Sequence, residues 1–338
     1  MIAVSQPALI GLDWGTSSLR GYLVAADGEV IEAIAKPWGL QQLPAGGFEA
    51  AFRGLVGEWR RQWPDLPAVA AGMVGSRQGW REVPYVDCPA DAEAIARGLL
   101  AFDSEAGRIH LVPGVIQRGP LPNVLRGEET QIVGALAREP ALAAESLVVL
   151  PGTHSKWVRV RDGRIVGFDT FMTGELFAVL REHSLLGKPA REAAAGAIDT
   201  GMKAAAFARG LAVSRDSGPE GITGRLFTTR SLYLTGELPP AATLDYLSGL
   251  LVGEEIRSAL AGHEVAAHRA GAGGEPLPPI LLVGDAGLCG RYQEAFAAFG
   301  VTRSRGLGDS AAAGLWQVAS RAGLVSGARV SSGSSTHG

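Results

Sequence analysis

The chain has 338 residues, 46% of them hydrophobic, with a net charge of −3. At ~150 residues per domain this length predicts about two domains. The 47 glycines are about 14% of the chain, twice the usual ~7%. They follow no Gly-X-Y period, which excludes collagen, and they lie within apolar stretches, which excludes a flexible linker protein. A globular chain remains, with many tight turns or with backbone that must approach ligands closely. The near-neutral charge predicts no nucleic-acid or anionic-membrane partner.

Two cysteines, Cys88 and Cys289, exclude a disulfide scaffold and a CxxC site. With no basic, apolar leader at the start and no apolar run near ~18–20 residues, no membrane span is expected. The expected location is a reducing cytoplasm. The one Gly-Lys pair, Gly187-Lys188, is followed by Pro189, so there is no P-loop. His263, Glu264 and His268 miss the zinc-helix spacing by one residue. No GxSxG elbow occurs, and Gly284 to Gly290 reads GxxGxxG, not a dinucleotide fingerprint.

In chain order, strands are predicted at Ala8–Leu12, Leu19–Val24 and Glu29–Ala35, the last two joined by the Asp27-Gly28 hairpin turn. Phe48, Phe52, Leu55, Val56 and Trp59 carry helical spacing over 48–63. Val69–Val74 reads as a strand, followed by the polar loop Gly75–Arg81. A helix is predicted over Ala90–Phe102, a strand over His110–Val112, and a helix over Glu128–Ala137 with acidic residues in its first turn. The opening pattern then returns: an apolar run Leu147–Leu150, strand Trp157–Val160, the Asp162-Gly163 turn and strand Arg164–Phe168. Gly-Thr-x-Ser occurs at Gly15 and again at Gly152, 137 positions later. From that glycine to the hairpin Asp is 12 positions in one copy and 10 in the other. The even difference keeps the strand's facing. Two similar, facing domains are expected.

Helices follow at Gly174–His183, Met202–Val213, Gly221–Thr235 and Thr243–Gly262. Then come a loop at Ala266–Pro279, a strand at Ile280–Val283, a Gly-rich turn at Gly284–Gly290, and helices at Arg291–Phe299 and Asp309–Ala322. The Ser/Gly-rich end reads as a disordered tail. The expected divisions are 1–8 (extension), 9–143 (N-terminal domain), 144–323 (C-terminal domain) and 324–338 (tail).

Six constellations carry chemistry. Asp13 ends the first strand ahead of Gly15, Thr16 and Ser17. Backbone N–H groups and hydroxyls in such a turn suit phosphate oxygens, and a strand-end Asp can hold hydrated Mg²⁺; an ordinary Asx hairpin is the bland alternative. Gly152, Thr153, His154, Ser155 and Lys156 form the second such turn. Lys156 either neutralises a phosphate or is a solvated strand-edge lysine, and His154 reads as a hydrogen-bonding residue rather than a base. Glu128 and Glu129 follow Arg126-Gly127. Paired carboxylates there are either dipole caps or an acceptor for the proton of an attacking hydroxyl. Gly284 and Gly287 offer a backbone turn to an adenine or merely a packing turn. Gly306-Leu307-Gly308-Asp309 reads as helix capping and packing. In the loop Ser76-Arg77-Gln78-Gly79-Trp80, Arg77 could pair with a carboxylate and Trp80 could stack on a sugar chain, against the plain reading of a surface loop.

The order of these motifs resembles the superfamily of sugar kinases, actin and heat-shock ATPases. More closely, Asp13–Arg20, Ser76–Trp80, Arg126–Gln131 and Leu150–Trp157 resemble the 2-dehydro-3-deoxygalactonokinase family, a likeness covering residues 9–323. The resemblance implies an α/β chain of two RNase H-like domains, each a mixed five-stranded sheet flanked by helices, around a central nucleotide/substrate cleft. It implies ATP-dependent phosphorylation of 2-dehydro-3-deoxy-D-galactonate at its 6-position, in galactonate breakdown. Related sugar kinases carry a catalytic Asp where this chain has Glu, and Glu128 is favoured over Glu129 because it directly follows Gly127.

On that reading Glu128 takes the substrate proton and Asp13 holds Mg²⁺ through water. Gly15–Ser17 and Gly152–Ser155 cradle phosphates, aided by Lys156. Gly284 and Gly287 face adenosine, and Arg20, Ser76, Arg77, Trp80 and Arg126 face the sugar acid. The partners are ATP and a small sugar acid; the tryptophans could mark a homo-oligomer interface or line the cleft. The runners-up are a kinase of another sugar acid or hexose on this fold and a non-catalytic nucleotide-binding sensor, and sugar-dependent turnover of ATP separates them.

Overall fold

The computed structural model describes residues 6–193, 199–218, 221–269 and 277–325. The chain divides into two units, one formed by 1–144, 160–167 and 309–338, the other by 145–159 and 168–308. The C-terminal helix differs: it was expected in the second domain and belongs to the first unit.

In the first unit, β1 (Pro7–Trp14), β2 (Leu19–Ala25) and β3 (Val30–Lys36) form an antiparallel meander. Helix α1 (Gly47–Gln62) crosses over to β4 (Ala68–Gly72), which pairs parallel to β1. Its buried residues Phe52, Leu55, Val56 and Trp59 seal one sheet face against Ile10, Leu12 and Trp14. Strand β5 (Val86–Asp87) and helix α2 (Ala92–Arg97) follow. Then come the antiparallel pair β6 (Leu100–Ser104) and β7 (Gly107–Leu111), with β7 parallel to β4. The sheet order is β3-β2-β1-β4-β7-β6.

The single helix expected over 90–102 is therefore a one-and-a-half-turn helix and a strand. Gly98 ends α2, and the apolar residues beyond it pair with β7 instead, Leu100 opposite Leu111 and Phe102 opposite Ile109. Short strands β8 (Val115–Gln117) and β9 (Asn123–Leu125) join β5 in a small third sheet that three-residue runs did not announce. Helix α3 (Glu128–Arg138) starts where expected.

In the second unit, β10 (Glu145–Leu150), β11 (Ser155–Arg161) and β12 (Arg164–Phe171) repeat the meander. Helices α4 (Thr173–His183), α5 (Lys188–Glu192), α6 (Thr200–Arg215), α7 (Thr228–Leu234) and α8 (Thr243–Arg269) precede β13 (Ile280–Leu282). Helix α9 (Ala286–Ala298) and strand β14 (Ser304–Gly306) complete the sheet, ordered β12-β11-β10-β13-β14. This matches the order of the first five strands of the other sheet, so the repeat read from Gly-Thr is a repeated RNase H-like sheet. The helix expected from Gly221 begins only at Thr228. Helix α8 outlasts its expected end and occupies the first part of the loop expected over 266–279; 270–276, like the expected tail beyond 325 and residues 1–5, lie outside the described residues.

Helix α10 (Ala311–Arg321) returns to the first unit and packs on α3. Their approach requires glycine on both sides. A β-carbon at Gly134 would lie 2.0 Å from the Ser310 carbonyl oxygen, and one at Gly314 would lie 1.8 Å from that of Thr130. Asp309, expected to cap this helix, accepts from the Ala311 N–H, although the cap position itself is Ser310.

Candidate active site

In the first unit, the ends of β1, β4 and the start of α3 converge through two glycines. Gly72 (φ +97°) stands where a β-carbon would be 2.6 Å from Trp14 O, and Gly127 (φ +105°) where one would be 3.2 Å from Gly72 Cα. This close backbone approach brings the acidic start of α3 within electrostatic reach of Asp13. Burial first, then the neighbouring Asp309 and Glu128, push the Asp13 carboxyl up to about 6, against the opposing pull of Arg20.

Glu128 is half-buried and accepts from the Arg126 N–H at 2.8 Å. Glu129 is fully buried. It accepts from the Gly127 N–H at 2.7 Å and from the Thr130 hydroxyl at 3.1 Å, and burial and the Glu128 charge push it up to about 8. Only the first of the two carboxylates meets solvent.

The Gly15 turn closes with Gly15 N–H donating to Ser18 O. Thr16 and Ser17 are exposed, while the Gly15 and Thr16 carbonyls accept from Leu40 and Gln41. Arg20 donates to Asp309 at 2.8 Å and lies 3.8 Å from Asp13. Asp309 also accepts from the Tyr22 hydroxyl and from Gln131 Nε2, so the residue read as a mere cap is the hub of a polar cluster.

The loop after β4 sorts its candidates differently. Arg77 is exposed, and among the described residues it makes no ion pair. Trp80 points inward: its ring stacks on Phe48 and meets Trp14, Phe52 and Phe102 edge-on or tilted. Its apolar area is therefore used in the core rather than presented to a sugar. Arg126 lies over the Tyr85 ring and donates to Val83 O at 2.8 Å, fixing the far end of that loop; its Nε and Nη1 are buried without a hydrogen-bond partner, as is Ser76 Oγ.

In the second unit the Gly152 turn borders a cavity of about 280 Å³. Its lining combines the apolar Phe177, Leu251, Val252 and Leu288 with Gly152 and a few polar groups, Thr153, Thr173, Ser248, Arg291 and Tyr292. A concave, mostly apolar pocket with a few polar groups is the usual form of a small-molecule site. Leu288 comes from the first turn of α9, because the expected Gly284–Gly290 loop is mostly helix. Asp285 accepts from the Leu288 N–H, so Gly287 is already helical, and only Gly284 (φ +139°) keeps turn conformation.

Lys156 is 6% exposed and donates to Thr170 on the adjacent strand at 2.9 Å, which places it inside the unit rather than at a solvated edge. His154 pairs with Glu175 at 2.5 Å. Missed altogether was Glu255, buried beneath this turn. Its position on the apolar stripe of Leu251, Val252 and Ile256 in α8 was the available signal.

The repeated sheet, each copy with a Gly-Thr turn after its first strand, defines the fold class: an α/β chain of two RNase H-like units. Residues 13–318 match the family described as 2-keto-3-deoxy-galactonokinase. A 2-dehydro-3-deoxygalactonokinase of Escherichia coli K12 is 36% identical over 305 residues, 89% of this chain and 94% of that protein. A Rhizobium meliloti protein named for the same activity is 36% identical over 291 residues, 86% of this chain and 89% of that one. A crystal structure of a Sinorhizobium meliloti protein given that name superposes with a TM-score of 0.79 at 36% identity, covering 92% of this chain and 98% of that one. The chain belongs to the 2-keto-3-deoxy-galactonokinase family and is a kinase. No described helix is long and apolar enough to cross a membrane.

Proposed function

We propose that the chain transfers the γ-phosphoryl group of ATP to the terminal hydroxyl of 2-dehydro-3-deoxy-D-galactonate, giving the 6-phosphate and ADP in galactonate breakdown in the cytoplasm. The observation that carries this reading is a 36% identical match over nine-tenths of two chains named for that activity. The cavity bordered by the Gly152 turn agrees with it.

Each proposed role follows from a side chain's surroundings. Glu128, the half-buried, solvent-reaching carboxylate at the start of α3, orients the substrate hydroxyl and accepts its proton. Glu129, enclosed and raised toward neutrality, supports the turn instead of touching substrate. The apolar walls of the cavity take adenosine, and Gly152 and Thr153 receive its phosphates. Thr16 and Ser17 present hydroxyls to the transferred phosphoryl group. Arg77, exposed on a loop anchored by Arg126, receives the substrate carboxylate.

The acidic surroundings of Asp13 suit a hard divalent cation, since Asp309 and Glu128 already disfavour its charged form. Among the described residues no three metal-ligating side chains cluster, which fits a cation held by one carboxylate with water and phosphate oxygens. Asp13 would hold that ion, proposed to be Mg²⁺, which when bound neutralises phosphate charge. The test is the product: purified chain with Mg-ATP and the sugar acid should yield a monophosphate whose phosphorus couples to the terminal methylene protons. A monophosphate at another carbon, or none, overturns the reading.

A further inference from the structure

Next to the cavity bordered by the Gly152 turn lies a buried carboxylate that, among the described residues, makes no ion pair. Glu255 is 2% exposed. It accepts from Trp157 Nε1 at 2.7 Å and from the Tyr292 hydroxyl at 2.6 Å, and the Thr173 and Ser155 hydroxyls favour its charged form. Two of these residues, Tyr292 and Thr173, line the cavity itself. A buried carboxylate costs heavily unless hydrogen-bonded, so two short bonds from buried aromatic donors are a built arrangement and not a chance contact.

The bonds have a direction. The Tyr292 hydroxyl donates to Glu255 at 2.6 Å, so its single hydrogen is committed there. Ser155 Oγ lies 3.1 Å from that same tyrosine oxygen and is fully buried. Its hydrogen therefore points into the cluster, to Tyr292 or to Glu255, and its lone pairs are left for the Gly152 N–H at 3.4 Å. Ser155 was expected to touch phosphate. The direction of the chain makes it an internal link, and Gly152 and Thr153 remain at the cavity.

We propose that Glu255 is a positioning residue for the nucleotide: through Tyr292 and Ser155 it holds the Gly152–Ser155 turn and one cavity wall in the shape that receives ATP. This rests on the functional reading above. Tyr292→Phe keeps the ring and cuts the chain at one atom, Ser155→Ala cuts it one link further on, and Glu255→Gln replaces an acceptor oxygen by a donor.

Binding of Mg-ADP, read by calorimetry without sugar acid, should weaken about tenfold in each single variant. The Tyr292→Phe/Ser155→Ala double variant should be no weaker than either single one, because both cut one chain. The KM for ATP should rise in parallel while the KM for the sugar acid stays within about twofold. A role in folding alone would lower the melting temperature and leave Mg-ADP affinity unchanged. Unchanged affinity in Tyr292→Phe, or additive losses in the double variant, overturns the inference while the functional reading stands. Failure of the unaltered chain to bind Mg-ADP overturns both.

Discussion

One guanidinium serves two carboxylates: Arg20 Nη1 lies 2.8 Å from Asp309 and 3.8 Å from Asp13. Arg20 and Asp309 are 289 positions apart, and only the return of α10 to the first unit makes them neighbours. Asp309 thereby acts on Asp13 twice, by repelling its charge and by occupying the arginine that would stabilise it. Asp13, raised to about 6, should set the acid limb of the pH profile. Asp309→Asn removes the repulsion and leaves Arg20 to Asp13, so the limb of kcat/KM should move to lower pH. A pH titration of both proteins checks this, and an unmoved limb would mean that Asp13 does not govern activity.

Glu128 and Glu129 are adjacent but differ in access: Glu128 reaches solvent and Glu129 is fully buried. Glu128→Gln should lower kcat by about 100-fold or more, the ordinary scale of general-base loss. Glu129→Gln should act on stability instead. The folded-state value of about 8 exceeds the ordinary 4.5, so the folded protein holds an extra proton between these values. Stability then falls as pH rises through that window. The variant should show a flatter melting temperature between pH 5 and 8 than the unaltered chain.

The α3–α10 contact leaves no room for a methyl group on either side. Gly314→Ala would put a β-carbon 1.8 Å from Thr130 O, and backbone must move to relieve it. A loss of about 1–3 kcal/mol is expected from overpacking, measured by denaturant unfolding. Gly290→Ala, in a helix and with nothing within 4 Å of the new carbon, is the matched control and should cost nothing comparable.

Trp80 separates a core role from a substrate role. With its ring against four others, Trp80→Ala should destabilise by about 3 kcal/mol. Trp80→Phe, which keeps an aromatic ring there, should leave the KM for the sugar acid unchanged. A selective rise in that KM would return the tryptophan to the substrate.

The readable parts of this fold were those with local signals. The Asp27-Gly28 and Asp162-Gly163 turns and the two Gly-Thr turns marked both meanders, and the Phe48-to-Trp59 spacing marked α1. Residues 90–102 were unreadable because Ile95, Ala96, Leu99 and Phe102 suit either period, and only β7 decides between them. Asp309 and Glu255 were hidden for a different reason: each draws its meaning from partners far along the chain. Strand alternation did not say which face of β11 is enclosed, so the solvated-edge alternative for Lys156 was open until packing showed it buried.

The most direct test of the central claim is ADP release by the purified chain with Mg-ATP, measured with and without 2-dehydro-3-deoxy-D-galactonate. The predicted result is ADP formation that depends on this sugar acid, is far slower with hexoses, and is lost in Glu128→Gln. No sugar-acid-dependent ADP, or faster release with another sugar, would contradict it.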